Sequence, residues 1–213
     1  MNGETVMACI DAAYAALKEH TDEIASLDQQ IGDGDHIFNL LRGMEALLAV
    51  RAEIAAQALG PALEIAASKV LSTVGGSSGP LFFSLLNGMA KASANNVMDV
   101  AGFARIFAAG VEAVGQRGKT GVGSKTMMDV LIPVAQRFEQ LAAENAVSRT
   151  VLDTLPRVAE ENMLATRDML ATKGRASFLG ERSRGHIDPG ARSSQIMIAS
   201  VCARLAQHNG QGA

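Results

Sequence analysis

Aromatic side chains are nearly missing from this chain. They make up 4% of its 213 residues, with no Trp and a single Tyr, although hydrophobic residues reach 48%. A core built from Ala, Leu, Ile, Val and Met packs closely between helices, so the shortage disfavours a β-sandwich. Cysteine is scarce too. Cys9 and Cys202 lie in apolar periodic stretches near opposite ends of the chain, read as buried free thiols and suggest a reducing compartment. There is no basic run and no basic stripe interleaved with aromatics, and the formal charge is −3 with pI ≈ 5.8, so neither nucleic acid nor an anionic membrane is expected as a partner. No apolar run approaches about 18 residues and no basic-then-apolar leader opens the chain, so the expected location is the cytoplasm.

What the sequence does contain is helical periodicity. Val6, Ile10, Ala13 and Leu17 form one apolar stripe, Leu59, Leu63, Ala66 and Val70 another, and Met127, Leu131, Val134, Phe138 and Leu141 a third. Comparable stripes predict eight helices, roughly at 4–19, 36–51, 57–73, 80–93, 99–117, 124–143, 150–172 and 192–208. Alternating strand patterns and fixed-period repeats do not occur, so the expectation is one all-α domain over residues 1–213. Pro133 falls inside the sixth helix and should kink it or remove one of its bonds.

The connections alternate in character. Those after helices one, three, five and seven are "LDQQIGDGDH", "STVGGSSGP", "GQRGKTGVGSKT" and "TKGRASFLGERSRGHIDPGARSS", all rich in glycine and polar residues. "ASANNVMD" and "AAENAVSR", after helices four and six, read as plain surface turns. Consecutive helices with short connections run antiparallel, so alternate loops belong at one end of an up-and-down bundle and the four unusual ones should share a rim.

Each rim loop has its own chemistry. Asp28, Asp33 and Asp35 offer hard oxygen ligands suited to Mg²⁺ or Ca²⁺, and no paired Cys/His spacing favours zinc. Ile37 stands where an EF-hand would need its next ligand, and neither the loop glycine nor the closing Glu follows. The plain alternative is a solvated turn in which Asp35 caps the following helix. In "GGSSGP", Pro80 suits a helix start, and the N–H groups and hydroxyls of Ser77 and Ser78 suit a phosphate; a flexible capping turn is the alternative. "GKT" at 118–120 is no Walker A motif, because Ala113 stands where that motif needs glycine and no strand precedes it. Ser124 and Thr126 are candidate helix caps, and Lys125 is either an anion contact or a solvated surface lysine. The fourth loop carries Arg175, Arg182, Arg184, His186 and Arg192; guanidinium forks suit phosphate oxygens, so at least one arginine should face the rim. Asp188, Pro189 and Gly190 read as a turn before the last helix, and His36 as a ligand, a base or a local hydrogen-bonding group.

Together, "LDQQIGDGDH", "VGGSSGPLF", "KTMMDVLIPV" and "GRASFLGERSRGHIDPGARSS", in that order, resemble the ADP-binding L subunit, or equivalent domain, of dihydroxyacetone kinases. The resemblance implies an eight-helix antiparallel barrel with ADP or ATP at one end. Its phosphates would be bridged by two Mg²⁺ ions to Asp28, Asp33 and Asp35. It further implies nucleotide contacts at His36, Asn39, Ser77, Ser78, Gly118, Thr126, Met127, Arg175, Asp188 and Gly190. Two positions depart from the pattern: Ile37 replaces a usual glycine, and Ser124 replaces a usual aspartate. The implied activity is phosphoryl transfer to dihydroxyacetone held on a separate K subunit, with ADP recharged by an M subunit of the sugar phosphotransferase system. The alternatives are an ATP-exchanging subunit acting on another triose or tetrulose, and a non-catalytic nucleotide-dependent regulator.

Overall fold

The computed structural model describes residues 1–210; the last three residues of the expected 1–213 domain lie outside the described residues. Its helices are α1 (Gly3–Glu19), α2 (Thr21–Ile31), α3 (His36–Ala49), α4 (Arg51–Ala55), α5 (Leu59–Thr73), α6 (Ser78–Ser93), α7 (Val100–Gly118), α8 (Met128–Ala143), α9 (Ser148–Ala165) and α10 (Pro189–Gly210). Tight 3₁₀ turns at Thr166–Asp168 and Arg175–Ser183 interrupt the connection from α9 to α10.

Local chemistry starts several helices where the pattern requires. The Asn2 side chain accepts the Thr5 N–H at the start of α1, and the Asp99 side chain accepts the Gly102 N–H at the start of α7. Inward stripes then build the core. Val6 and Met7 of α1 meet Leu47 of α3, Leu59 and Leu63 of α5 and Ile106 of α7, while Val130 and Val134 of α8 meet Leu155 and Ala159 of α9 and Cys202 of α10. Both cysteines are free thiols, and burial pushes Cys9 up to about 11 and Cys202 up to about 12.

Neighbours in the chain are neighbours in space, and the ring closes. α1 and α2 pack on α3, then follow α5, α6, α7, α8, α9 and α10, and α10 returns to α1. α1 and α2 meet end to end at His20, and the five-residue α4 follows directly on α3, so ten helical segments make eight staves. This is an all-α, eight-stave antiparallel barrel.

The structure corrects the sequence-based bounds at two places. Residues 21–31, expected to be loop, are helical, so Asp28 stands on the last turn of α2 rather than in a turn. The seventh helix stops at Ala165 instead of near 172, where the 3₁₀ turn takes over. α8 runs through Pro133 and α9 through Pro156. No helix among the described residues is long and apolar enough to cross a membrane.

Candidate functional site

The rim is assembled around the end of α2. Ile24, Asp28 and Ile31 share its buried face, so a carboxylate occupies a position that the helix's inward stripe would otherwise give to a hydrophobe. The chain then turns sharply. Gly34 adopts φ +79°, a backbone region that glycine enters freely, and a Cβ on Gly32 would lie 2.1 Å from Asp28 Oδ1. Asp35 is the residue before α3, yet its side chain makes no capping bond. The capping role weighed for it in the sequence is therefore unfilled, and its carboxylate is left for other work. Asp28, Asp33 and Asp35 each present a carboxylate oxygen, all within 4.8 Å of one another.

Such convergence demands a counter-charge. Two like charges about 4 Å apart repel by roughly 4 kcal/mol at an effective dielectric near 20. Part of it comes from Arg175, whose Nη2 lies 2.9 Å from Asp33 Oδ2 in a largely exposed pair that contributes little by itself. Three hard carboxylate oxygens fit an oxygen-seeking dication such as Mg²⁺, which retains water in its remaining positions.

His36 ties three loops together. Its backbone N–H donates to Asp28 Oδ2 at 3.1 Å. On the ring, Nε2 is 2.9 Å from Ser193 Oγ and Nδ1 is 3.3 Å from Ser78 Oγ. The Ser193 hydroxyl donates to the Gly190 carbonyl at 3.1 Å, so it accepts from Nε2–H, and Nδ1 then accepts from Ser78. Burial pushes the imidazole below its ordinary pKa, against the opposite pull of Asp28 and Asp35. A neutral ring with both nitrogens engaged is a brace between loops. The neighbouring Ile37 is fully buried among Leu17, Ile24 and Ile196, so its side chain points away from the acids.

The second loop lies against α3. Asn39 is buried and its Oδ1 accepts from Arg42, beneath the turn at Gly75 and Gly76. Ser77 immediately precedes α6 without a side-chain cap bond. In the third loop, Gly118 ends α7 beside Leu81 of α6. Thr126 and Asp129 form a reciprocal cap for α8: the Met128 N–H donates to Thr126 Oγ1 at 3.1 Å, and the Thr126 N–H to Asp129 Oδ2 at 2.7 Å. Asp129 also accepts the Gly123 N–H and is fully buried. The Thr-x-x-Asp spacing was readable in the sequence, but only Thr126 was singled out.

The fourth loop reaches the third. Thr172 N–H donates to the Ser124 carbonyl at 3.2 Å, and Gly190 faces Met127. Asp188 caps α10 by accepting the Ala191 N–H at 2.7 Å, ahead of Pro189 at the first helical position. Arg192 bonds Glu23 of α2, Arg184 pairs with Glu181, and Arg182 is exposed, so among the four arginines Arg175 is the one joined to the acidic cluster. Lys125 is neither the anion contact nor the surface lysine that the sequence suggested: it is fully buried against backbone carbonyls.

Burial pushes the Asp188 carboxyl from 3.8 up to about 7, opposed by the Ala191 N–H and by Lys125. The folded protein then holds a proton there that the unfolded chain releases, so stability falls as pH rises from about 4 to 7, each pH unit of that displacement being worth about 1.4 kcal/mol. Asp188→Asn keeps an oxygen for Ala191. It is expected to flatten the slope of Tm against pH and to raise the Tm more at pH 8 than at pH 5; an unaltered slope refutes the assignment.

Comparison with known proteins follows the same outline. The family model described as the DAK2 domain matches residues 30–203. The chain belongs to the DAK2 domain family. This DAK2 domain chain is 39% identical over 185 residues to the ADP-binding subunit DhaL of PEP-dependent dihydroxyacetone kinase 1 from Listeria innocua, covering 87% of this chain and 88% of that one. It is 37% identical over 179 residues to the corresponding ADP-binding subunit DhaL of Escherichia coli, covering 84% and 85%. In structure it is similar to the dihydroxyacetone kinase from C. freundii crystallised with AMP-PNP and Mg²⁺, with a TM-score of 0.70 at 19% identity. That match covers 94% of this chain and 33% of the larger kinase, and at such identity it speaks for the fold alone.

Proposed function

We propose that this DAK2 domain chain is a single nucleotide-binding domain and the ADP-binding subunit of a multi-subunit dihydroxyacetone kinase. It would hold Mg²⁺-ADP or Mg²⁺-ATP at the acidic rim while a separate K subunit holds the sugar. The observation that carries the reading is the convergence of three carboxylates within 4.8 Å, on a rim whose other loops present helix N-termini, hydroxyls and Arg175. The DhaL subunits of dihydroxyacetone kinases, named for ADP binding, are matched by this chain over most of their length and support the reading.

Asp28, Asp33 and Asp35 would hold two Mg²⁺ ions, which when bound neutralise the charge on the β- and γ-phosphates of the transferring group. The remaining work is positioning. Asn39, Ser77, Ser78 and the free N–H groups at the start of α6 would face the phosphates, as helix N-termini favour anions. His36 would keep the first and second loops in register through Ser78 and Ser193. Gly118, Thr126, Met127, Asp188 and Gly190 would form the opposite wall, and Arg175 would exchange Asp33 for a phosphate oxygen. An M subunit of the sugar phosphotransferase system is the phosphoryl donor that the DhaL relatives' dependence on PEP favours for this chain. The protein would then work in the cytoplasm.

The test is reconstitution. The purified chain should bind ADP with Mg²⁺ and fail to phosphorylate dihydroxyacetone alone, then support transfer once a sugar-loaded K subunit and a phosphoryl donor are added. Turnover by the isolated chain, or none with every donor, would overturn the reading.

A further inference from the structure

Lys125 is the largest side chain among the fully buried residues, at 1% exposure. It adopts φ +60°, a left-handed backbone that lysine seldom enters. Nζ donates to the carbonyls of Thr166 and His186, with Arg167 O at 3.4 Å, so all three of its donors have an acceptor. The carbonyls of Thr166 and Arg167 lie just past the last turn of α9, where helical carbonyls lack partners and negative dipole charge accumulates. His186 belongs to the approach to α10, two residues before Asp188. One ammonium therefore joins the third rim loop, the end of α9 and the start of α10.

Neighbouring bonds extend the same junction. Asp188 N–H donates to Thr166 Oγ1 at 3.1 Å, Thr166 Oγ1 donates to Met163 O, and Ser124 O accepts from Thr172. Burial pushes the Lys125 ammonium below its ordinary pKa; Asp188, Asp168 and Asp129 pull the other way, and Arg184 adds to the lowering. Thr126 and Met127 follow Lys125 directly in the chain, so wherever the ammonium is held, they are held too.

We propose that Lys125 is a positioning residue: its caged ammonium clamps Thr126 and Met127 to the α9–α10 connection and thereby sets how long Mg²⁺-ADP stays bound. The inference rests on the nucleotide-binding reading above. It assigns Lys125 no contact with the nucleotide.

Lys125→Met, in the full chain, removes the charge and keeps the stem. Release of Mg²⁺-ADP, followed by stopped flow with a fluorescent ADP analogue, should accelerate at least about tenfold while association changes less than about threefold. Lys125→Arg, which keeps charge and donors, should recover part of the loss. A core variant at the opposite end, Val6→Ala, lowers stability without touching this junction and should leave release unchanged. Release within about twofold of wild type in Lys125→Met, or equal acceleration in Val6→Ala, overturns the proposal. Should Lys125→Met fail to fold, hydrogen exchange on the wild type decides: Mg²⁺-ADP should protect the amides of 166–172 in step with 123–129, and protection confined to 123–129 refutes the clamp. Failure of the wild type to bind Mg²⁺-ADP at all removes the nucleotide reading, and this inference with it.

Discussion

Asp33→Ala and Asp35→Ala should each abolish Mg²⁺-dependent ADP binding while leaving the apo protein folded. Both side chains are solvent-accessible, and neither is packed into the core. Removing one relieves repulsion within a cluster whose oxygens lie inside 4.8 Å, so the apo stability should change by no more than about 0.5 kcal/mol, the usual range for surface positions. Wild type at 100 times its dissociation constant gains about 2.7 kcal/mol from ligand. For a chain of this size that corresponds to a rise in Tm of roughly 5 to 11 °C. Thermal melts with and without Mg²⁺-ADP measure both quantities together. A variant that keeps the ligand-dependent rise shows that these acids do not hold the metal. Asp28→Ala should behave differently, because Asp28 is buried and accepts the His36 N–H, so apo stability should fall as well.

Gly32→Ala should damage the same site without replacing any candidate ligand. The new methyl would stand 2.1 Å from Asp28 Oδ1, a distance no real contact tolerates, and the yielding partner is the end of a side chain. Asp28 would rotate away and give up both its place beside Asp33 and Asp35 and its bond to His36 N–H. An orphaned backbone N–H costs about 1–3 kcal/mol, and disturbance of groups that orient a ligand set commonly costs 10- to 100-fold in metal affinity. Calorimetric titration of Mg²⁺-ADP should show a loss of about that size. An unchanged dissociation constant would mean that Asp28 is not needed at the metal.

Some of this architecture was readable before any coordinates. Apolar stripes at helical spacing located six of the eight staves to within a few residues, and the alternation of glycine-rich with plain connections indicated a shared rim. α2 was missed for a physical reason. Its inward face runs Ile24, Asp28, Ile31, and a carboxylate in the middle of a short stripe interrupts the periodicity that marks a buried helix. The residue that makes the site chemically useful thus concealed the helix that presents it. Lys125 was misread because a lone lysine in a glycine-rich loop is normally solvated, and no local pattern reports that carbonyls from residues 166 and 186 converge on it. Asp129 was open to reading through the Thr-x-x-Asp cap, whereas Ser193 had no local signal, since its role depends on a ring 157 residues away.

From the sequence alone came the helical class, the up-and-down order of successive helices and the inventory of acids, hydroxyls and guanidinium groups, because periodicity, capping and composition act over neighbouring residues. Tertiary structure decided which of those groups meet. That Asp35 is left uncapping, that the His36 ring is spent as a brace, that Arg175 rather than its neighbours joins the acids, and that Lys125 faces inward all depend on contacts between segments distant in the chain. Charge and hydrogen-bond energies are set by distance in space and by exclusion of water, and neither quantity is written in the order of residues.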